Sequence, residues 1–166
     1  MSFTRLLHPA IPSIPLFHFT DESNVDSIRK HGLLSTLNLA QESMTPKQRG
    51  SNDLSRYLDR RKGIEGYVHL SLTEDHPLAH VARIEGRIGS LVHLRISPIV
   101  ISWRGVLGCG GVANGIHTVI VPIAETLAEV DLEVLRCQHD RMSRVQRRRY
   151  EDARRVEVLV PDRIPP

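Results

Sequence analysis

Residues 16–35 read LFHFTDESNVDSIRKHGLLS, and this stretch decides which fold class the chain favours. Its opening is dense in apolar and aromatic residues, which predicts a short strand over Leu16–Thr20. Asp21 and Ser23 are residue types that commonly cap the start of a helix, and Gly32 is a type that commonly ends one. The stretch therefore predicts a strand followed directly by a short helix that ends at Gly32.

The same rules, applied outward from this stretch, predict the remaining elements. They predict an irregular start around Pro9, Pro12 and Pro15, helices over Asn52–Lys62 and Pro77–Ile84, strands over Tyr67–Leu72, Leu91–Ile96, 116–122 and Arg155–Val160, and loops over Leu37–Gly50 and 105–115. Helical spacing is mixed with an arginine-rich run over 124–155. Because the strands are short and do not alternate cleanly with helices, the pattern indicates an α+β fold with a mixed or antiparallel sheet.

Length and composition favour one soluble domain over residues 1–166. The chain has 166 residues, of which 40% are hydrophobic and 25% are charged. No segment approaches the ~18 consecutive apolar residues that a membrane span needs, and the start lacks a secretion signal, so we expect a cytoplasmic protein that does not associate with membranes. Two cysteines are too few for a disulfide framework.

Positive charge is concentrated near the end of the chain. The net charge is only +3, yet residues 141–155 (RMSRVQRRRYEDARR) hold seven arginines against two acidic residues. Guanidinium groups suit phosphates, so a nucleic acid or a nucleotide is one candidate partner for this segment. A solvated helix face is the other interpretation.

Three positions are candidates for chemistry. Glu157 stands between Val156 and Val158 in an apolar strand, where a carboxylate either lines a cleft or forms an exposed ion pair with a neighbour such as Arg155. His18 is either a core imidazole or a ligand-binding group. The third candidate is the Arg60-Arg61 pair at a predicted helix end, where cations also favour the helix dipole.

Metal chemistry has only a weak signal. His76 and His80 are four residues apart on a predicted helix, and Cys137 and His139 could add ligands, but the HExxH order of zinc enzymes is absent. We therefore expect no metal. The chain also lacks the GxxxxGK[ST], GxGxxG and GxSxG motifs, which disfavours the P-loop, Rossmann and α/β-hydrolase classes.

Four segments together resemble the DarT family of NAD-dependent DNA ADP-ribosyltransferases, which are toxins of toxin-antitoxin pairs. They occur in the family's order and are LFHFTDESNVDSIRKHGLLS, RRKGIEGYVHLSL, HLRISPIVI with the following GVANG, and ARRVEVLVPDRIP. The resemblance implies an ADP-ribosyltransferase-like fold, in which short sheets form a central cleft with flanking helices. It also implies NAD as co-substrate and a macrodomain-type antitoxin as partner.

The resemblance carries roles onto individual residues. It implies that Glu157 and Arg60 are catalytic, with Arg61 as the alternative arginine. The NAD contacts that it implies are His18, Thr20, Asn24, Ser27, Leu34 and Arg60. The segment before the glutamate would read the substrate, so Arg144, Arg147, Arg148 and Arg154 are the expected nucleic-acid contacts, in agreement with the charge distribution.

The expected reaction is transfer of ADP-ribose from NAD to a thymine or guanine base of single-stranded DNA, with release of nicotinamide. Cleavage of the bond from nicotinamide to ribose leaves positive charge on the ribose, which a fixed carboxylate stabilises. Three alternatives remain. The first is an NAD-dependent RNA 2′-phosphotransferase, the second is a protein-modifying transferase or NAD glycohydrolase, and the third is a non-enzymatic arginine-rich module that binds nucleic acid.

Overall fold

A computed structural model describes residues 15–166 of the chain. Its strands are β1 (Leu16–Asp21), β2 (Leu33–Leu34), β3 (Tyr67–Ser71), β4 (Leu91–Ile96), β5 (Leu107–Cys109), β6 (Val121–Pro122), β7 (Glu157–Pro161) and β8 (Arg163–Ile164). Six of them form one sheet in the order β4-β1-β3-β7-β5-β6, and β2 pairs with β8. Every strand pair is antiparallel. The expected α+β class is therefore confirmed, in its antiparallel form.

Short helices connect the strands. They are α1 (Val25–His31), α2 (Thr36–Gln41), α3 (Asp53–Lys62), α4 (Pro77–Ile84), α5 (Ile123–Glu129), α6 (Leu132–Leu135) and α7 (Arg144–Ala153). Turns of 3-10 helix cover Glu22–Asn24, Pro98–Ser102 and His139–Arg141. None of the helices described here is long and apolar enough to cross a membrane.

The opening strand and helix form as the sequence predicts. Asp21 accepts a hydrogen bond from the backbone N–H of Ser23 and caps the helical segment. Gly32 ends α1 with a φ of 82°, and a Cβ there would lie 2.3 Å from the carbonyl oxygen of Ile164. Only glycine meets both demands, so this residue also allows β8 to approach the end of α1.

The centre of the sheet is strand β7, whose two faces are both covered. Val158 and Val160 pack into the main hydrophobic cluster with Val68 and Leu70 of β3. Leu159 points to the opposite face, where a second cluster forms beneath the end of α3. Because a hydrophobic cluster covers each face, the side chains of residues 157–160 are removed from water on both sides of the sheet.

Several predicted boundaries were wrong. Residues 37–50 are not all loop, since Ser35 caps the short helix α2 through the backbone N–H of Asn38. The predicted loop 105–115 contains strand β5, which pairs with β7. The predicted strand 116–122 is extended only over Val121–Pro122, because the chain turns at Gly115–Thr118.

The closing strand also has different limits. It begins two residues later than expected and includes Pro161, which pairs with Tyr67 at the strand end. The predicted irregular start at Pro9 and Pro12 lies outside the described residues.

We expect Asp21→Ala to lower the melting temperature at neutral pH. The Asp21 carboxylate accepts hydrogen bonds from Ser23 and from the backbone N–H groups of Ser90 and Gly89, and these bonds lower its pKa below 3.8. This stabilisation is therefore complete above the unfolded-state pKa and is lost as the pH falls through the lower folded-state pKa. Thermal melts at pH 7 and at pH 2 to 4 measure it.

Asp26→Ala is the matched control for this variant, because Asp26 is exposed on α1 and only approaches Arg29 at 3.9 Å. If both variants shifted the melting temperature equally at pH 7, the capping role of Asp21 would be wrong.

Candidate active site

The most buried carboxylate among residues 15–166 is that of Glu157, the first residue of β7. Only 3% of the residue is exposed. Its Oε2 lies 3.0 Å from Nδ1 of His69 and accepts a hydrogen bond of 3.3 Å from the backbone N–H of Ala113. Its Oε1 lies 3.4 Å from Nε2 of His76. The alternative of an exposed ion pair with Arg155 is therefore wrong, because Glu157 is buried and its carboxylate faces two histidines.

The surroundings keep Glu157 ionised. Burial opposes ionisation, but the hydrogen bond and charge of His69 and the N–H of Ala113 lower the pKa of Glu157 below its usual 4.5. Burial would likewise lower the pKa of His69, but Glu157 and the charge of Asp59 raise it above 6.5. The two groups therefore each favour the charged form of the other, an imidazolium beside a carboxylate.

His18 of β1 connects the first motif to this centre. Its Nδ1–H donates a hydrogen bond of 3.1 Å to the backbone carbonyl of His69. Burial lowers the pKa of His18, so its ring is neutral. Strands β1 and β3 share a single paired position, Phe17 with Ser71, and they diverge beyond it. The His18 ring therefore spans the two strands at the point where they separate.

Thr20 and Asn24 form one buried hydrogen-bonded unit beside β1. The amide nitrogen of Asn24 donates to Oγ1 of Thr20 at 3.2 Å and to the carbonyl of Gln48 at 2.7 Å. Its amide oxygen accepts from the backbone N–H groups of Lys47 and Gln48. Asn24 thus fixes the loop that follows α2 against β1.

The other two predicted NAD contacts lie further along. Ser27 is exposed on α1, and Leu34 is half-buried in β2. For both residues, a role in NAD binding stays a prediction.

Helix α3 turns an acidic residue toward the site. Asp59 is buried, burial raises its pKa, and the charges of His69 and Glu157 both act on it. Successive residues on a helix point about 100° apart, so Arg60 faces away. Its side chain is 73% exposed and its Nε lies 3.0 Å from Oε2 of Glu65. Arg61 is exposed and lies over the ring of Tyr57, with its guanidinium carbon 5.8 Å from the ring centroid.

Lys62 holds the loop that supplies the Ala113 N–H. Its ammonium group donates hydrogen bonds to the carbonyl oxygens of Ala113, Gly115 and Thr118. The end of α3 thereby positions a backbone donor for Glu157. Nothing in the sequence points directly to Lys62 or Ala113, whereas the alternation of β3 places His69 on the face opposite Val68 and Leu70.

The arginine-rich run forms helix α7. Ser143 and Gln146 close its start as a reciprocal capping box, and Tyr150 and Ala153 are buried against a cluster that includes Val134. The polar face is therefore fixed in place by an apolar one.

The four predicted nucleic-acid contacts on this run differ in their surroundings. Arg144, Arg147 and Arg148 are exposed. Arg154 is only 18% exposed in its side chain and forms ion pairs with Glu151 and Asp75. The exposed three have no acidic partner in the described part of the chain, although Arg147 donates a hydrogen bond to the carbonyl of Met142, whereas Arg154 already has acidic partners.

A cavity of about 680 Å³ lies beside α7 and the start of β7. Its lining includes Gly110, Thr126, Asp131, Arg149 and Val156. Glu157 does not line this cavity, because its side chain points to the other face of the sheet.

The two histidines of the weak metal pattern point apart. Nε2 of His76 faces Glu157, and Nε2 of His80 lies 2.6 Å from Oδ1 of Asp75 at the surface. Within residues 15–166, no group of three or more histidine, cysteine, aspartate or glutamate side chains is placed to hold a metal ion.

Comparisons with known proteins agree on one family. The family model described as "ssDNA thymidine ADP-ribosyltransferase, DarT" matches residues 17–166. The structure resembles that of Thermus sp. 2.9 DarT in complex with ADP-ribosylated ssDNA, with a TM-score of 0.67, 18% identity and coverage of 92% of this chain and 77% of that one. No curated protein sequence matches the chain.

Two further structures share the fold. The NAD+ complex of Thermus sp. 2.9 DarT gives a TM-score of 0.60 at 18% identity, covering 96% of this chain and 79% of that one. Thermosipho africanus DarTG in complex with ADP-ribose gives 0.63 at 16% identity, covering 91% of this chain and 41% of that one. The predicted ADP-ribosyltransferase-like fold is confirmed.

Proposed function

Because the chain belongs to the DarT family of ADP-ribosyltransferases, we propose that it transfers ADP-ribose from NAD to a thymine base of single-stranded DNA and releases nicotinamide. Membership in the family confirms the expected enzyme class, an NAD-dependent DNA ADP-ribosyltransferase. The choice of thymine over guanine rests on the family's description, and the experiment below tests it.

The observation that carries this proposal is the fixed, ionised carboxylate of Glu157. Departure of nicotinamide leaves an oxocarbenium-like ribose, and a preorganised anion stabilises that charge without reorganisation of solvent. His69 and the Ala113 N–H hold the carboxylate in one orientation before any substrate binds, and Nε2 of His76 lies 3.4 Å from its other oxygen. The acceptor nitrogen must also lose a proton, for which Glu157 is the nearest anion.

We place NAD along β1, against His18 and Thr20. In support, His18 lies one hydrogen bond away from the strand that carries His69, and Asn24 links Thr20 to the loop at Gln48. Ser27 and Leu34 would extend the same surface. Arg60 would hold the pyrophosphate or the acceptor base, and to do so it must exchange its contact with Glu65 for the ligand. An arginine stays protonated, so its role is electrostatic.

We place single-stranded DNA on α7, at Arg144, Arg147 and Arg148. A target nitrogen inside a duplex is out of reach, whereas an unpaired base can approach Glu157. The structure of Thermus sp. 2.9 DarT with ADP-ribosylated ssDNA supports the same class of substrate. Arg154 would orient the end of α7 through Glu151 and Asp75 rather than bind phosphate.

Mass spectrometry of short oligonucleotides incubated with the protein and NAD tests the proposal. We expect one added ADP-ribose unit on single strands that contain thymine, none on strands that lack it, and none on duplexes. Modification that follows guanine would transfer the proposal to that base. NAD consumption that requires a 2′-phosphorylated RNA would favour the phosphotransferase, and binding of DNA without any use of NAD would favour the binding module.

Three further predictions remain part of this proposal. They are a single domain over residues 1–166, a macrodomain-type antitoxin that reverses the modification, and a cytoplasmic location. Treating the modified oligonucleotide with a macrodomain hydrolase would test whether the product is of the kind that such a partner removes.

A further inference from the structure

Glu157 alone is a poor base for the proposed reaction. Its pKa is lowered, and general-base catalysis is weak when the pKa of the base lies far below that of the group it deprotonates. The features that make Glu157 a good stabiliser of positive charge therefore oppose its second task. The acceptor's proton needs another destination within hydrogen-bond reach.

The position of His69 makes it a suitable destination for the acceptor's proton. Its Nδ1 lies 3.0 Å from Oε2 of Glu157, and the backbone of Ile64 favours the protonated form of the ring. Nδ1 is therefore the ring nitrogen placed to exchange a proton with the carboxylate. The side chain is 29% exposed, which gives the ring a path to water.

We propose that His69 is a positioning residue and the proton partner of Glu157, an inference that rests on the proposed function. As the bond from ribose C1 to nicotinamide breaks, nicotinamide leaves as a neutral molecule with the electron pair, and the acceptor nitrogen forms the new bond to C1. The proton of that nitrogen passes to the Glu157 carboxylate and from there to Nδ1 of His69. Water then removes it from the imidazolium.

Charged and titratable groups face His69 from four elements. Glu157 of β7 and Asp59 of α3 favour its protonated form. His18 of β1 and His76, which precedes α4, have pKa values lowered by burial and are neutral. The competent state is the one in which His69 has lost its proton and can accept another, so the rate should rise with pH through an ionisation above 6.5.

His69→Asn tests the proposal directly. The asparagine amide can donate to Glu157 from the position of Nδ1 and so preserves its orientation, but it cannot take up a proton. We expect kcat for transfer to fall on the order of 100-fold, the lower end of the range of about 10² to 10⁴ that is typical for loss of an acid-base group. We also expect the KM for NAD to be unchanged and the rise of rate between pH 6 and 9 to disappear. His80→Asn, the same change at an exposed histidine, should behave as the wild type.

Each outcome decides a separate question. If the wild-type enzyme modified no oligonucleotide, the proposed function would be wrong whatever the variant does. If the wild type transferred ADP-ribose and His69→Asn kept its rate and pH profile, only the role of His69 would be wrong. A rise that persisted in the variant would belong to the acceptor base. Should the variant not fold, a wild-type profile that is flat above pH 6.5 would by itself overturn the inference.

Discussion

Glu157→Gln should abolish measurable transfer of ADP-ribose while the protein still folds. The amide is nearly the same size as the carboxylate and can accept the N–H of Ala113, but it carries no charge to stabilise the ribose cation. Preorganised and acid-base groups typically contribute on the order of 10² to 10⁴-fold in rate, and Glu157 serves in both roles. Rates measured by mass spectrometry of the modified oligonucleotide give the ratio.

Glu125→Gln is the control for this variant, because Glu125 is exposed in the first turn of α5 and lies outside the site. Binding of NAD, followed as a rise in melting temperature, should persist in Glu157→Gln, since saturation at 100 times the Kd contributes about 2.7 kcal/mol. Transfer by Glu157→Gln at more than a tenth of the wild-type rate would contradict the catalytic assignment.

Replacing Arg144, Arg147 and Arg148 together by glutamine should weaken binding of single-stranded DNA on the order of 10²-fold at about 50 mM salt. Each contact between a guanidinium and a phosphate releases a counterion when DNA binds. Loss of three contacts should therefore make the slope of log affinity against log salt less steep by about 2. The three side chains are exposed, so folding should be unaffected. Fluorescence anisotropy of a labelled oligonucleotide over a salt series measures both values.

A matched triple variant separates position from net charge. Arg29, Arg83 and Arg104 are also exposed, and replacing them by glutamine changes the net charge equally. Equal loss of affinity in the two triple variants would mean that α7 has no special role. Arg154→Gln should instead reduce stability, because it removes the ion pairs of Arg154 with Asp75 and Glu151.

The elements that the sequence predicted well are those with local signals. Helix α3 begins after the capping residue Asn52 and ends at Gly63 in a left-handed conformation, and α4 begins at Pro77. A few adjacent residues therefore determine these helix ends. Strand β3 shows the alternation that a sheet with different faces requires. These signals do not depend on distant contacts, and the structure has the elements within one or two residues of the expected positions.

Strand β5 could not be predicted, because its cause is distant. Gly108 is a poor strand former, yet a Cβ there would lie 2.6 Å from Oγ1 of Thr126, so only glycine allows α5 to pack this closely. The pairing of β5 with β7 then overrides local preference. Nothing in the residues around Gly108 indicates either contact.

The site was only partly predictable, because some of its residues stand out locally whereas their contacts depend on distant parts of the chain. Glu157 is conspicuous as a carboxylate in an apolar strand, and His69 lies on the non-core face of β3. Their contact depends on the register that places Ser71 opposite Glu157, across 88 residues of chain between His69 and Glu157. The sequence could not show that register, nor that Asp59 rather than Arg60 would face the centre.

The Lys62 ammonium anchors the loop from Ala113 to Thr118 through hydrogen bonds to three of its carbonyl oxygens. Helix α3, this loop and the carboxylate at the head of β7 are thereby coupled as one rigid unit. A shift of the C-terminal turn of α3 would therefore also move the Ala113 N–H that donates to Glu157. The alignment of the charge on which bond cleavage depends is thereby linked to a lysine side chain on another element.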